Sequence, residues 1–236
     1  LTYLVPSKSS QGVPGLQGPD KPRTCKHNRF KSKVVPFELD ISSHSGQDTL
    51  WKILSNPHLK FVHLSPPCGT ASRARERPLS QAARQQGWPE PQPLRTEEFP
   101  LGIPDLALRF PHEVTRVRKA NTLYALSAEI CRFLCRRQVP WTLENPRNSL
   151  FWWVPAVNDL QNITNIQDVV FQQCMHGGQR DKHTRLRCHP ANAFTALHSM
   201  CDGNHVHKPW GAYGPGTFAT AEEAEFPDLL CQRLAT

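Results

Sequence analysis

Five short apolar runs, spaced far enough apart for a helix or long loop between most of them, constrain this chain more than any other feature. They lie at 34–41, 61–64, 139–143, 168–174 and 184–188. A short helix is expected over 46–54, where Leu50, Ile53 and Leu54 share one side. A long one is expected after Pro111. There Val114, Val117, Asn121, Tyr124, Ala128, Cys131 and Leu134 recur at helical spacing, and Arg116, Arg118, Lys119, Glu129, Arg132 and Arg136 fill other faces. Strands alternating with helices predict an α/β fold built on an open, mainly parallel sheet, with ligands at the carboxyl ends of the strands. The loops after Leu64, Leu143 and Cys174 are therefore the places to look for chemistry.

The domain organisation follows from composition. Residues 1–25 are rich in Pro, Gly, Ser and Gln and read as a flexible arm. Residues 26–190 hold the α/β domain, interrupted at 72–111 by about forty residues of Arg, Gln, Glu and Pro without pattern, the mark of a functional or mobile loop. Residues 191–236 form a C-terminal extension, a loop followed by a helix over 219–235. The start of the chain resembles neither a signal peptide nor an initiator Met, as in a fragment or processed product.

Lys and Arg number 28 against 20 Asp and Glu, a formal charge of +8, which favours an anionic partner such as nucleic acid. No apolar run approaches the roughly 18 residues of a membrane span. The eight cysteines follow no framework spacing. They read as reduced thiols of an intracellular protein, nuclear in a eukaryote.

Ser65-Pro66-Pro67-Cys68-Gly69 cuts off the run Phe61-Val62-His63-Leu64. The two prolines stiffen the backbone and remove two donors, so the Cys68 thiol is presented from a fixed turn. A nucleophilic cysteine needs that restraint and a positive field, which Arg73, Arg75 and Arg77 could supply. Taken alone, a buried structural cysteine fits as well. Glu144-Asn145-Pro146 follows the apolar Trp141-Thr142-Leu143. A carboxyl there is aimed at a cleft, where loss of solvent raises its pKa and suits it to proton donation. An exposed Glu in a proline turn is the plainer alternative.

Together these motifs resemble the DNA cytosine-5 methyltransferases, which set a Pro-Cys nucleophile after one strand and a Glu-Asn pair after a neighbouring strand of a Rossmann-like sheet. Cys68 matches the nucleophile, Ser72 a serine four residues on, and Glu144 and Asn145 the pair, with Pro146 where Val is commoner. The wider wording is similar to a divergent branch found in protist genomes and mobile elements, over roughly residues 34–190. The resemblance implies S-adenosyl-L-methionine as cofactor, held in part by Asp40 and Pro66, and DNA as partner. It implies Cys68 and Glu144 as catalytic residues. Pro67, Ser72, Arg73, Arg75, Asn145, Arg185 and Arg187 would face the DNA, the last two from His183-x-Arg185-x-Arg187, where the family carries Gln-x-Arg-x-Arg.

The family's aromatic-x-Gly-x-Gly cofactor turn has no counterpart. The glycines at 12, 15 and 18 flank Pro14 and follow no strand, so the expected sheet is incomplete at its N-terminal end. Two other readings follow. One is a nucleic-acid-binding remnant that holds no cofactor. The other is an adenine amino-methyltransferase, whose motif has an aromatic ring where Cys68 stands. Finally, Cys188, beside His189, with Cys201, His205 and His207 are the right ligand types for tetrahedral zinc at non-standard spacing. The plainer reading is a loop of ordinary Cys and His residues with no metal.

Overall fold

The computed structural model describes residues 39–214 and 217–235. The first expected strand, 34–41, lies almost wholly outside them, as do the arm at 1–25 and its glycines. Residues 39–43 form a turn leading into a helix.

In chain order the helices are α1 His44–Leu54, α2 Gln81–Gln85, α3 Leu106–Arg109, α4 Val114–Arg136, α5 Pro155–Asn158, α6 Ala219–Glu222 and α7 Asp228–Leu234. The strands are β1 Val62–Leu64, β2 Trp141–Pro146, β3 Gln167–Gln172, β4 His183–His189, β5 Ala212–Gly214 and β6 Thr217–Phe218. The main sheet runs β1-β2-β4-β3, and β5 and β6 make a separate two-stranded ribbon. No helix among the described residues is long and apolar enough to cross a membrane.

The chain is α/β as expected, but the sheet is mixed rather than mainly parallel. β1 and β2 are parallel, whereas β4 is antiparallel to both β2 and β3. The cause is the short connection after β3. It holds a 3-10 turn, Gln173–His176, then Gly177 at φ 88 and Gly178. Gly178 donates its N–H to the Gln173 carbonyl at 2.8 Å, and a Cβ there would meet that carbonyl at 2.9 Å. Glycine thus lets the chain fold straight back, and a parallel crossover, which needs a dozen or more residues, does not form.

Period-two alternation divides the sheet's side chains between two layers. Val62, Leu64, Trp141 and Leu143 face α1, α4 and the 150–160 segment in the larger apolar cluster. Val169, Phe171, Leu186 and Cys188 face the other way, onto Leu197, Leu230, Leu234 and Phe226. The C-terminal segment therefore supplies the second layer of the core. The 72–111 segment is also more ordered than its composition predicts. Besides α2, α3 and a 3-10 turn at Arg73–Glu76, it contributes Leu94 and Leu106 to a small cluster with Val117. Arg95, fully buried, bonds Thr70, Asn121, Val117 and Pro100 and lies 5.2 Å over the Tyr124 ring.

On the second face His63 is buried, with Nδ1 2.7 Å from Thr142 Oγ1 and its ring edge against Phe226. Burial lowers its pKa from 6.5 to about 4. Between those values the unfolded chain binds a proton that the folded chain refuses, so stability is full above pH 6.5 and falls as pH drops toward 4. The loss expected from this group is about 3 kcal/mol. Urea unfolding of the wild type and His63→Gln across this range should show a flatter profile in the variant, and parallel profiles would refute the assignment.

Candidate active site

β1 and β2 lie side by side in parallel, Leu64 opposite Leu143, so the residues that follow each of them are neighbours. Ser65 Oγ donates to Glu144 Oε2 at 2.7 Å. One residue further, Asn145 Nδ2 donates to the Pro66 carbonyl at 3.1 Å. The Tyr124 hydroxyl, from α4, donates to the Pro67 carbonyl at 2.7 Å, and Ala71 N–H closes a turn onto the Cys68 carbonyl at 2.9 Å. Each proline carbonyl is thus held by a buried side chain, and the stiff presentation of Cys68 expected from the sequence is present. β2 continues through Pro146, so Glu144 and Asn145 lie within the strand and point to opposite faces.

Glu144 lies within electrostatic reach of Cys68. Burial raises the pKa of the Cys68 thiol, the Glu144 charge raises it further, and Lys182 opposes both. Burial likewise raises the Glu144 pKa, partly offset by Lys182 and by the Ser65 hydrogen bond. Lys182 Nζ lies 4.0 Å from Glu144 Oε1, and that oxygen is buried without a hydrogen-bond partner. An unpartnered buried carboxyl oxygen is costly and calls for a reason. One within electrostatic reach of a thiol is suited to receiving a ligand donor or a proton.

The positive field expected from Arg73, Arg75 and Arg77 is not what acts on the thiol. Arg73 pairs with Glu76 and Glu97, and Arg75 with Glu113 at 3.0 Å and with the Gly69 and Gln92 carbonyls. The cation that favours the thiolate is Lys182. Composition could not single it out from the basic loop 180–187; the Gly177-Gly178 turn that carries it back to β2 was the available signal. Tyr124 was read only as a helix position, and its hydroxyl turns out to hold the Cys68 turn. Ser72 Oγ accepts from Ala74 N–H at the start of the 3-10 turn.

Two clefts flank this loop, and neither is lined by Cys68 or Glu144 themselves. One, of about 620 Å³, is lined by Arg73, Arg77, Arg147, Arg185, Trp152 and Trp153, with Glu76 and Glu97 among its walls. Arg185 stacks on the Trp152 ring at 4.5 Å. Arg187 is directed into the sheet: it is 1% exposed and is spent on Asp168 and the Val157 carbonyl. The second cleft, of about 410 Å³, is lined by Pro67, Gly69, Thr70, His112, Arg116 and Lys119 among others. Asp40 lies within electrostatic reach of Lys119. Hydrogen bonds from the Ser42 hydroxyl and N–H hold its exposed carboxylate below the usual range.

The zinc ligand set that the sequence offered as the lesser reading, Cys188 with Cys201, His205 and His207, is not formed. Cys188 is fully buried in the apolar face of β4. The sulfur beside Cys201, His205 and His207 belongs to Cys174.

No protein-family model, no curated protein and no solved structure matches the chain.

Proposed function

We propose that this chain transfers a methyl group from S-adenosyl-L-methionine to carbon 5 of cytosine in DNA through a covalent Cys68 adduct. The observation that carries the proposal is a buried, raised-pKa Glu144 with one oxygen unpartnered, whose charge reaches the buried Cys68 thiol from the neighbouring strand.

Cytosine carbon 5 is a poor nucleophile until a thiolate adds at carbon 6. The strongest charge acting on the Cys68 thiol is the Glu144 carboxylate. Passage of the thiol proton to that carboxylate yields a thiolate, which Lys182 favours, and a neutral carboxylic acid. That acid is the form that donates to ring nitrogen 3 as sulfur attacks carbon 6. Once carbon 5 has gained its methyl group, loss of the carbon-5 proton to a base expels Cys68. The target base must leave the duplex, at a cost of a few kcal/mol.

The second cleft suits the cofactor: it adjoins the Cys68 turn through Pro67 and Gly69 and carries Arg116 and Lys119 for a carboxylate. Asp40 and Pro66 would serve the adenosine end. When bound, S-adenosyl-L-methionine supplies an electrophilic methyl group. The first cleft, with four arginines and two tryptophans, suits phosphates and unstacked bases. No stacking ring stands at Cys68 itself, which disfavours the adenine reading.

The test is a duplex carrying 5-fluorocytosine, incubated with protein and S-adenosyl-L-methionine. Loss of the carbon-5 substituent is blocked, so the wild type should yield an adduct stable to denaturing electrophoresis and Cys68→Ala none. DNA binding without cofactor binding and without adduct would replace this proposal with the non-catalytic one.

A further inference from the structure

We infer that Cys174, Cys201, His205 and His207 form a structural zinc site. Their ligand atoms all lie within 4.8 Å of one another. Cys201 Sγ is 3.7 Å from His205 Nε2 and 3.5 Å from His207 Nε2, and the two Nε2 atoms are 3.0 Å apart. A tetrahedral zinc ion with ordinary Zn–S and Zn–N arms has edges of about 3.6 Å between S and N and about 3.3 Å between two N atoms. The three separations match such a polyhedron with its centre free. Two thiols and two imidazole nitrogens are the ligand types of a structural zinc site, and at these distances one dication can bind all four.

The surroundings fit the same role. Gly203 donates its N–H to Cys201 Sγ at 3.3 Å, which fixes the sulfur within its own turn. The Asp202 carboxylate lies 3.7 Å from His205 Nδ1, which leaves Nε2 to the metal, as is usual for liganding histidines. The loop is tied to the end of β3 by Cys201 N–H to Gln172 Oε1 and Gln172 N–H to the Ser199 carbonyl, both at 2.9 Å. It has little apolar anchorage of its own: Val206 is 97% exposed and Met200 41%. Four protein ligands leave no open position, so the site is structural rather than catalytic. Cys174 begins the turn that ends at Lys182, so the metal would fix the segment that sets Lys182 beside Glu144. The site does not depend on which reaction the chain performs.

Full-length protein, purified under reducing conditions without chelator, should carry one zinc ion per chain by elemental analysis. Cys174→Ala and His207→Ala should each lose it, and Cys188→Ala should keep it. Because the first two remove a staple as well as a ligand, cobalt(II) titration of the metal-stripped wild type provides a separate readout: intense tetrahedral d–d bands with thiolate charge transfer. An octahedral cobalt spectrum, zinc retained in a Cys174→Ala, Cys201→Ala double variant, or a Cys174–Cys201 disulfide in protein kept reduced would each overturn the inference.

Discussion

Glu144→Gln should slow adduct formation on 5-fluorocytosine DNA by about 10²–10⁴-fold, the usual worth of a positioned proton donor. It should at the same time make the protein more stable at neutral pH. Both effects have one origin. The amide keeps the shape and can still accept from Ser65, but it can neither receive the thiol proton nor deliver one to nitrogen 3. It also removes a charge that burial disfavours. A carboxyl whose folded pKa is raised binds its proton more tightly in the native state. Wild-type stability therefore falls as pH climbs from the ordinary carboxylate value through the raised one, and the variant escapes that fall. Thermal unfolding of the two proteins should coincide in acid and diverge toward neutrality. A constant offset at every pH, or an adduct rate unchanged by the substitution, would remove Glu144 from its assigned role.

The largest stability effect is expected from Asp168→Ala, about 3–5 kcal/mol by chemical denaturation. Arg187 donates to both Asp168 oxygens, at 2.8 and 3.1 Å, and Arg185 donates to one of them. Burial pushes the Asp168 pKa up, but the hydrogen bonds and charges of the two arginines outweigh it and hold the carboxyl below its usual range. Both guanidinium groups also lie over Trp152, at 4.5 and 5.3 Å. Without the carboxylate, two cations remain side by side, one of them 1% exposed. Domains of this size are commonly stable by roughly 5–15 kcal/mol, so the loss is a large part of the total. Asp168→Ala with Arg187→Met should be less damaging than Asp168→Ala alone, because the stranded charge goes with it. A cost below about 1 kcal/mol for the single variant would show the ion pair to be solvated and weak.

How far the sequence foretold the molecule depended on the range of the forces involved. α4 was legible because its apolar spacing is local: Val117, Tyr124, Ala128, Cys131 and Leu134 are all buried as their periodicity implied. The Cys68 turn was legible for a similar reason, since proline stiffness needs no partner. Sheet order was not. The run at 184–188 looks the same whether it joins an edge or inserts antiparallel between β2 and β3, and only the Gly177-Gly178 reversal decides. Paired arginines misled too. Arg75 and Arg95 helped make 72–111 read as a patternless, functional or mobile loop, yet their donors are taken up by carbonyls, Thr70, Asn121 and Glu113. The metal ligands were half legible: the Cys201, His205 and His207 spacing is local, whereas choosing Cys174 over Cys188 required knowing which face of β4 meets the core.

Phe226, from the segment between α6 and α7, touches the His63 ring and lies beneath Lys182 Nζ at 6.0 Å. Lys182 also donates to the Glu223 carbonyl, and Glu223 holds Arg180. The last dozen or so described residues therefore wall in the side of Lys182 that faces Glu144 as much as they cover the sheet. A trimmed version ending near 190 would open Lys182, and the Glu144 carboxyl beside it, to bulk water, weakening the desolvation that raises the Glu144 pKa.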